Sequence, residues 1–127
     1  VYHLIRDELY KRKEQALDVV FHQPLYLLIR DLSKLDNREK AFVNSGVSHL
    51  DFLIYNRVSK RPILAIEVDG YRYHKDGTKQ AERDKIKDDI LAQYGIPLVR
   101  FATNGSDEAR ILSGTLDKIM GTGVKKD

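Results

Sequence analysis

Asp51, Glu67 and Asp69 sit in two short apolar runs, residues 50–56 and 62–69, and each run alternates with period two. Leu50, Phe52 and Ile54 share one face of the first run, and Asp51, Leu53 and Tyr55 the other. In the second run Leu64, Ile66 and Val68 oppose Ile63, Ala65, Glu67 and Asp69. The stretch Arg57-Val58-Ser59-Lys60-Arg61 between them has the length of a hairpin loop. Centring the hairpin on Ser59 predicts the pairs Tyr55–Ile63, Leu53–Ala65 and Asp51–Glu67. Two carboxylates then share a sheet face with Cβ atoms ~4.5–5.5 Å apart, and Asp69 projects from that face two residues on. Like charges placed directly opposite each other destabilise a sheet, and a bound divalent cation removes the repulsion. Hard, oxygen-only ligands on a rigid hairpin suit Mg²⁺ or Mn²⁺, which keep waters for chemistry. The bland alternative leaves Asp51 in solvent at a strand start and pairs Glu67 with a lysine; a one-residue slip in register sends Asp51 to the opposite face.

Residues 78–94 supply the groups that could answer those acids. Ile86, Ile90, Leu91 and Tyr94 set the apolar direction of a helix; Arg83 and Lys87 fall inside that arc, and Lys85, Asp88 and Asp89 outside it. Cations on a packing face are expensive unless they meet anions, and the carboxylates, or a phosphate lying over them, are such partners. The competing reading is snorkelling, with buried stems and charged heads in water. Glu8 repeats the logic in the first helix, as a carboxylate on a core-facing arc, with a rim position as its alternative. His74, five residues after Asp69, stands where a proton acceptor for an activated water could reach the acids. Tyr71 and Tyr73 could stack on an unpaired base, and Arg72 beside Tyr73 is a phosphate-binding candidate; loop tyrosines also simply cover core edges. His3, His22 and His49 lack comparable company and read as structural.

The elements that must position these groups follow from the same patterning. Residues 1–17 form an amphipathic helix with Leu4, Ile5 and Leu9 on one arc, and Val19-Val20-Phe21 is a β-prone run stopped by Pro24. A second apolar run covers 25–29, and the polar residues 30–48 read as a long loop or excursion. Gly95 closes the 78–94 helix, 97–102 is a buried strand, and 106–120 is a final helix with Ser106 as N-cap and Asp107 and Glu108 in its first turn. The order implies an α/β domain with a mixed β-sheet flanked by helices, spanning 1–120, with a frayed tail at 121–127.

Composition bounds the function without choosing it. The 127 residues fit one domain, and 42% hydrophobic with 32% charged residues argues for a folded globule. No run approaches the ~18–20 apolar residues of a membrane span, and the first residues lack the pattern of a signal peptide. Cysteine is absent, which excludes disulfides and thiolate-bound metals and favours the cytoplasm. Lys and Arg outnumber Asp and Glu by 8 to 7 in residues 1–50 and by 14 to 12 in 51–127, so no basic tail exists, although a mildly basic chain permits nucleic-acid binding. The opening Val in place of Met suggests a segment of a longer chain.

The ordered set Asp51-Phe52-Leu53-Ile54, Leu64-Ala65-Ile66-Glu67-Val68-Asp69-Gly70, His74, Arg83-Asp84, Lys87-Asp88 and Gly95-Ile96-Pro97-Leu98-Val99-Arg100 resembles a known family. It is similar to the PD-(D/E)XK nuclease superfamily, in the branch related to the very-short-patch-repair endonuclease. Within that branch it is most like a small domain often attached to bacterial helicase-like proteins. The resemblance covers roughly residues 1–116. It implies a restriction-endonuclease-like fold and Mg²⁺- or Mn²⁺-dependent hydrolysis of phosphodiester bonds in DNA. Asp51 matches the metal-binding aspartate, Glu67 the first acid of the (D/E)-x-K element, and the main-chain carbonyl of Val68 a further metal ligand. The Gly70-x-x-Tyr73-His74 segment is similar to the Gly-x-x-Trp-His segment of the repair enzyme, whose His assists catalysis. The usual Lys two residues after the acid is Asp69 here, and Lys87 is the candidate for a lysine that has migrated to the next helix. Glu8 matches the first-helix Glu only loosely. The expectation is a DNA endonuclease domain of a larger helicase-like protein, with a catalytically inactive nucleic-acid-binding or assembly module of the same fold as the alternative. A domain acting on RNA is a third reading.

Overall fold

The computed structural model describes residues 1–68, 79–101 and 107–121. Helix α1 spans Tyr2–Lys11, shorter than the 1–17 expected, because a 3₁₀ turn at Lys13–Gln15 and a left-handed Ala16 (φ +59°) redirect the chain. Strand β1 (Leu17–Pro24) follows, then a short α2 (Leu25–Leu28) and α3 (Asn37–Asn44). The α3 helix lies within the stretch read as a loop. Its start is a capping box: Asp36 accepts from the Glu39 amide, and Glu39 accepts from the Asp36 amide.

Strands β2 (His49–Asn56) and β3 (Pro62–Val68) form the expected hairpin. Leu53 faces Ala65 as the Ser59-centred register requires, but Tyr55 pairs with Pro62 instead of Ile63, with a shift between Ile54 and Tyr55. The turn sets the shift: Lys60 takes a left-handed φ of +69°, and Asn56 Oδ1 accepts from the Val58 and Ser59 amides. Helix α4 (Lys79–Gln93) then crosses to β4 (Leu98–Phe101), which runs parallel to β3, and α5 (Glu108–Met120) ends the order. Gly95 has the left-handed φ (+70°) expected after α4. The N-cap of α5 is Asp107, without a side-chain capping bond; Ser106, expected in that role, lies outside the described residues.

The sheet order is β1-β2-β3-β4, antiparallel except for the last pair, so the fold is α/β with a mixed sheet flanked by helices. Alternation along β2 and β3 divides the core. Ile54, Leu64 and Ile66 pack with Ile5 and Leu9 of α1 and Leu112 and Leu116 of α5. On the opposite face Leu53 and Ala65 pack with Val43 of α3 and with Ile90 and Leu91 of α4. Among the described residues no helix is long and apolar enough to cross a membrane.

Candidate functional site

Beyond Phe52–Ile66 the regular pairing of β2 and β3 stops, and the two acids take over. Asp51 Oδ2 accepts from the Val68 amide at 2.7 Å, and Glu67 Oε2 accepts from the Asp51 amide at 3.2 Å. Each carboxylate thus holds the other strand's backbone. The expected Asp51–Glu67 juxtaposition is present, as a side-chain-to-backbone clasp. Glu67 is only 8% exposed, and burial pushes its carboxyl up from the ordinary range; Lys87 pulls it back, and the Asp51 charge pushes it up further.

Lys87 supplies the counter-charge. It reaches in from the middle of α4, and its Nζ donates to Glu67 Oε1 at 3.2 Å and to the His49 carbonyl at 2.9 Å, with the side chain 12% exposed. An anion partner, not snorkelling, explains this lysine on the packing face. Arg83, one turn earlier, is exposed and lines the same cleft of about 360 Å³ as Glu67, Lys87 and His49. Asp88, expected to point outward, is half-buried and pairs with Arg100 of β4 at 2.9 Å, because that guanidinium lies beside the α4 flank. Lys85 and Asp89 do face solvent, 3.5 Å apart.

Glu8 takes no part in this cluster. It is buried, but Arg12, just past the C-terminal end of α1, donates to its Oε2 through both Nε (3.1 Å) and Nη2 (2.8 Å), and also reaches Asp117 of α5 at 3.1 Å. The core-facing arc of α1 meets α5, so the acid on that arc serves the helix–helix contact and not the acids of the sheet. Asp69, Arg72, Tyr73 and His74, with Tyr71, lie outside the described residues. Val68 reaches the cluster through its amide N–H, which donates a hydrogen bond to Asp51 Oδ2.

Two histidines read as structural stand at the site. His49 Nε2 is 3.9 Å from Asp51 Oδ1, and its carbonyl receives Lys87. Its ring lies 3.9 Å, centroid to centroid, from that of His22. The signal was available: His49 is two residues before Asp51, the spacing that places side chains on one strand face. His22 could be found only through the β1–β2 register. Phe21 pairs with Phe52 and Gln23 with Leu50, leaving His22 across from Asp51 and out of the ladder with φ +55°.

The donor set suits a hard divalent cation in kind. Asp51 Oδ1 takes part in no hydrogen bond among the described residues, and the Glu67 oxygens, though hydrogen-bonded, retain lone pairs. Asp51 and Glu67 offer carboxylate oxygens from adjacent strands; among the described residues no group of three His, Cys, Asp or Glu is arranged to hold a metal. Mg²⁺ commonly keeps several waters and takes only one or two carboxylates, so two acids meet its needs.

A model of the family described as "Protein of unknown function (DUF2726)" matches residues 12–119, which includes every element from β1 to β4 and nearly all of α5. No curated protein and no solved structure gives a significant match to the chain.

Proposed function

The chain belongs to the DUF2726 family, described as proteins of unknown function, and we propose that it is a metal-dependent endonuclease domain that hydrolyses phosphodiester bonds in DNA. The single observation that carries this reading is the part-buried Lys87 ammonium against Glu67, with Glu67 clasped to the Asp51 amide. A lysine beside paired acids on adjacent strands is the constellation that phosphodiester hydrolysis uses, and here the lysine arrives from α4 in place of the sheet.

Asp51 Oδ1 and the Glu67 carboxylate would hold Mg²⁺ or Mn²⁺, with Asp69 and the Val68 carbonyl as further ligands. When bound, the ion supplies Lewis acidity toward a phosphoryl oxygen and toward the attacking water. Lys87 offers its charge to the phosphate as negative charge develops, and Arg83 at the cleft mouth draws the DNA backbone in. His74 accepts or orients a proton, and Tyr73 and Arg72 contact the strand. The setting is a cytoplasmic, DNA-processing polypeptide of the helicase-like kind to which this domain is joined.

Plasmid nicking with Mg²⁺ or Mn²⁺ tests the proposal. The wild type nicks, and the Asp51→Ala/Glu67→Ala double variant does not; equal cleavage by both sinks it. A second reading, a non-catalytic DNA-binding or assembly module, draws support from the same clasp, because each acid already has a protein partner. Calorimetry separates the two: tight DNA binding indifferent to chelator, with no heat from Mg²⁺ or Mn²⁺, selects the module.

A further inference from the structure

Asp51 lines a second, larger cleft of about 680 Å³. Its walls include Tyr2 of α1, Phe21 and His22 of β1, Phe52 of β2 and Val68 of β3. Phe21 is 69% exposed and Tyr2 38%, so two aromatic rings stand in water where burial would favour them. The rings are ordered relative to one another: Tyr2 stacks on Phe52 with centroids 6.3 Å apart and 27° between planes, and meets Phe21 edge-on at 6.2 Å. A flat aromatic ligand finds faces here. An anion does not, because no Lys or Arg lines this cleft among the described residues, and its one charged side chain is Asp51.

The two clefts therefore divide a nucleotide between them by chemistry. The first, where Lys87 and Arg83 stand with Glu67 and Asp84, offers donors to a phosphate, the aromatic one suits a base, and the Asp51–Glu67 clasp joins a wall of each. Resting on the nuclease reading, we infer that the cleft of Tyr2, Phe21 and Phe52 binds an unpaired base next to the phosphate that is cut. The preferred substrate is then single-stranded, flapped or otherwise opened DNA, since a base held in the helical stack cannot present its face to these rings. His22, across from Asp51 and out of the ladder, stands at the cleft wall to hydrogen-bond the base edge.

The experiment uses the whole chain in a metal-free buffer and a single-stranded DNA oligonucleotide in which one 2-aminopurine is moved along the sequence. Stacking quenches its fluorescence. Wild type should bind the strand and alter this signal, while the matched duplex binds more weakly and leaves the signal unchanged. Phe21→Ala and Phe21→Leu should both weaken binding by about 5- to 150-fold, the range for loss of one base–aromatic stack, and Phe21→Trp should restore it. Phe21 is largely exposed, so these variants keep the core intact, which a thermal melt verifies. Binding within twofold of wild type in both Ala and Leu variants overturns the inference. So does full binding by Leu with loss only in Ala, which would assign the cleft to an aliphatic partner such as a peptide. Loss of the stacking effect with plasmid nicking intact refutes the base cleft alone; a base stack without nicking under Mg²⁺ or Mn²⁺ keeps the cleft and refutes the nuclease.

Discussion

Two buried glutamates, Glu8 and Glu67, face the same electrostatic problem and solve it differently. Each has one cation and one further acid nearby: Arg12 with Asp117 for Glu8, Lys87 with Asp51 for Glu67. At Glu8 the cation is a guanidinium that spends its donors on Glu8, Asp117 and Ser113. Burial lowers the Arg12 pKa, yet the hydrogen bonds and charges of Glu8 and Asp117 outweigh it and hold the guanidinium above its ordinary value. At Glu67 the cation is a point charge that also serves a backbone carbonyl, and burial leaves the carboxyl with a raised pKa. The first cluster is a paired strut between α1 and α5. The second leaves its carboxyl incompletely neutralised and opens onto a cleft, which is the condition for taking up a further cation.

Breaking the strut should have the largest effect. Arg12→Ala leaves Glu8 buried without its cation and should cost about 3–5 kcal/mol, read as a lower urea midpoint. Next comes Lys87→Met, which removes the charge at the proposed phosphate site and should slow nicking about 100-fold or more. Full activity in that variant would place Lys87 with Arg12 as a structural cation. Glu8→Gln is milder, because Arg12 keeps Asp117; a loss of about 1.5–3 kcal/mol is expected in the same titration.

The smallest effect is the pH dependence that Glu67 confers. The folded-state pKa of Glu67 lies above its ordinary value, so the folded protein holds a proton that the unfolded chain releases. The contribution of Glu67 is therefore most favourable below the ordinary carboxyl value and declines as pH rises through the folded one. Glu67→Gln should remove that decline, so its stability relative to wild type improves with rising pH across that window. A variant curve parallel to wild type throughout would contradict the under-neutralised state.

Much of this was readable from the chain. The alternation in β2 and β3 predicted the hairpin and the Leu53–Ala65 pair, and the helical wheel picked out Lys87 as a cation needing an anion. What escaped has physical causes. The register slipped at Tyr55 because the turn, through Asn56 and Lys60, takes a geometry that hydrophobic pattern does not encode. The α3 helix buries only Val43 fully, so its periodic signal was faint, although Asp36 and Glu39 marked its start. Glu8 was an anomaly without an address, since its role depended on α5 arriving beside α1. His22 joined the site through strand pairing and a left-handed backbone, neither of which a local pattern reveals.

The reciprocal hold between Asp51 and Glu67 makes the backbone itself a gauge of the site. While the acids stay on the Asp51 and Val68 amides, those two protons are shielded from exchange with solvent. An ion that pulls the carboxylates off those amides would loosen that hold, so faster deuterium uptake at these two positions would register such a shift before any strand is cut.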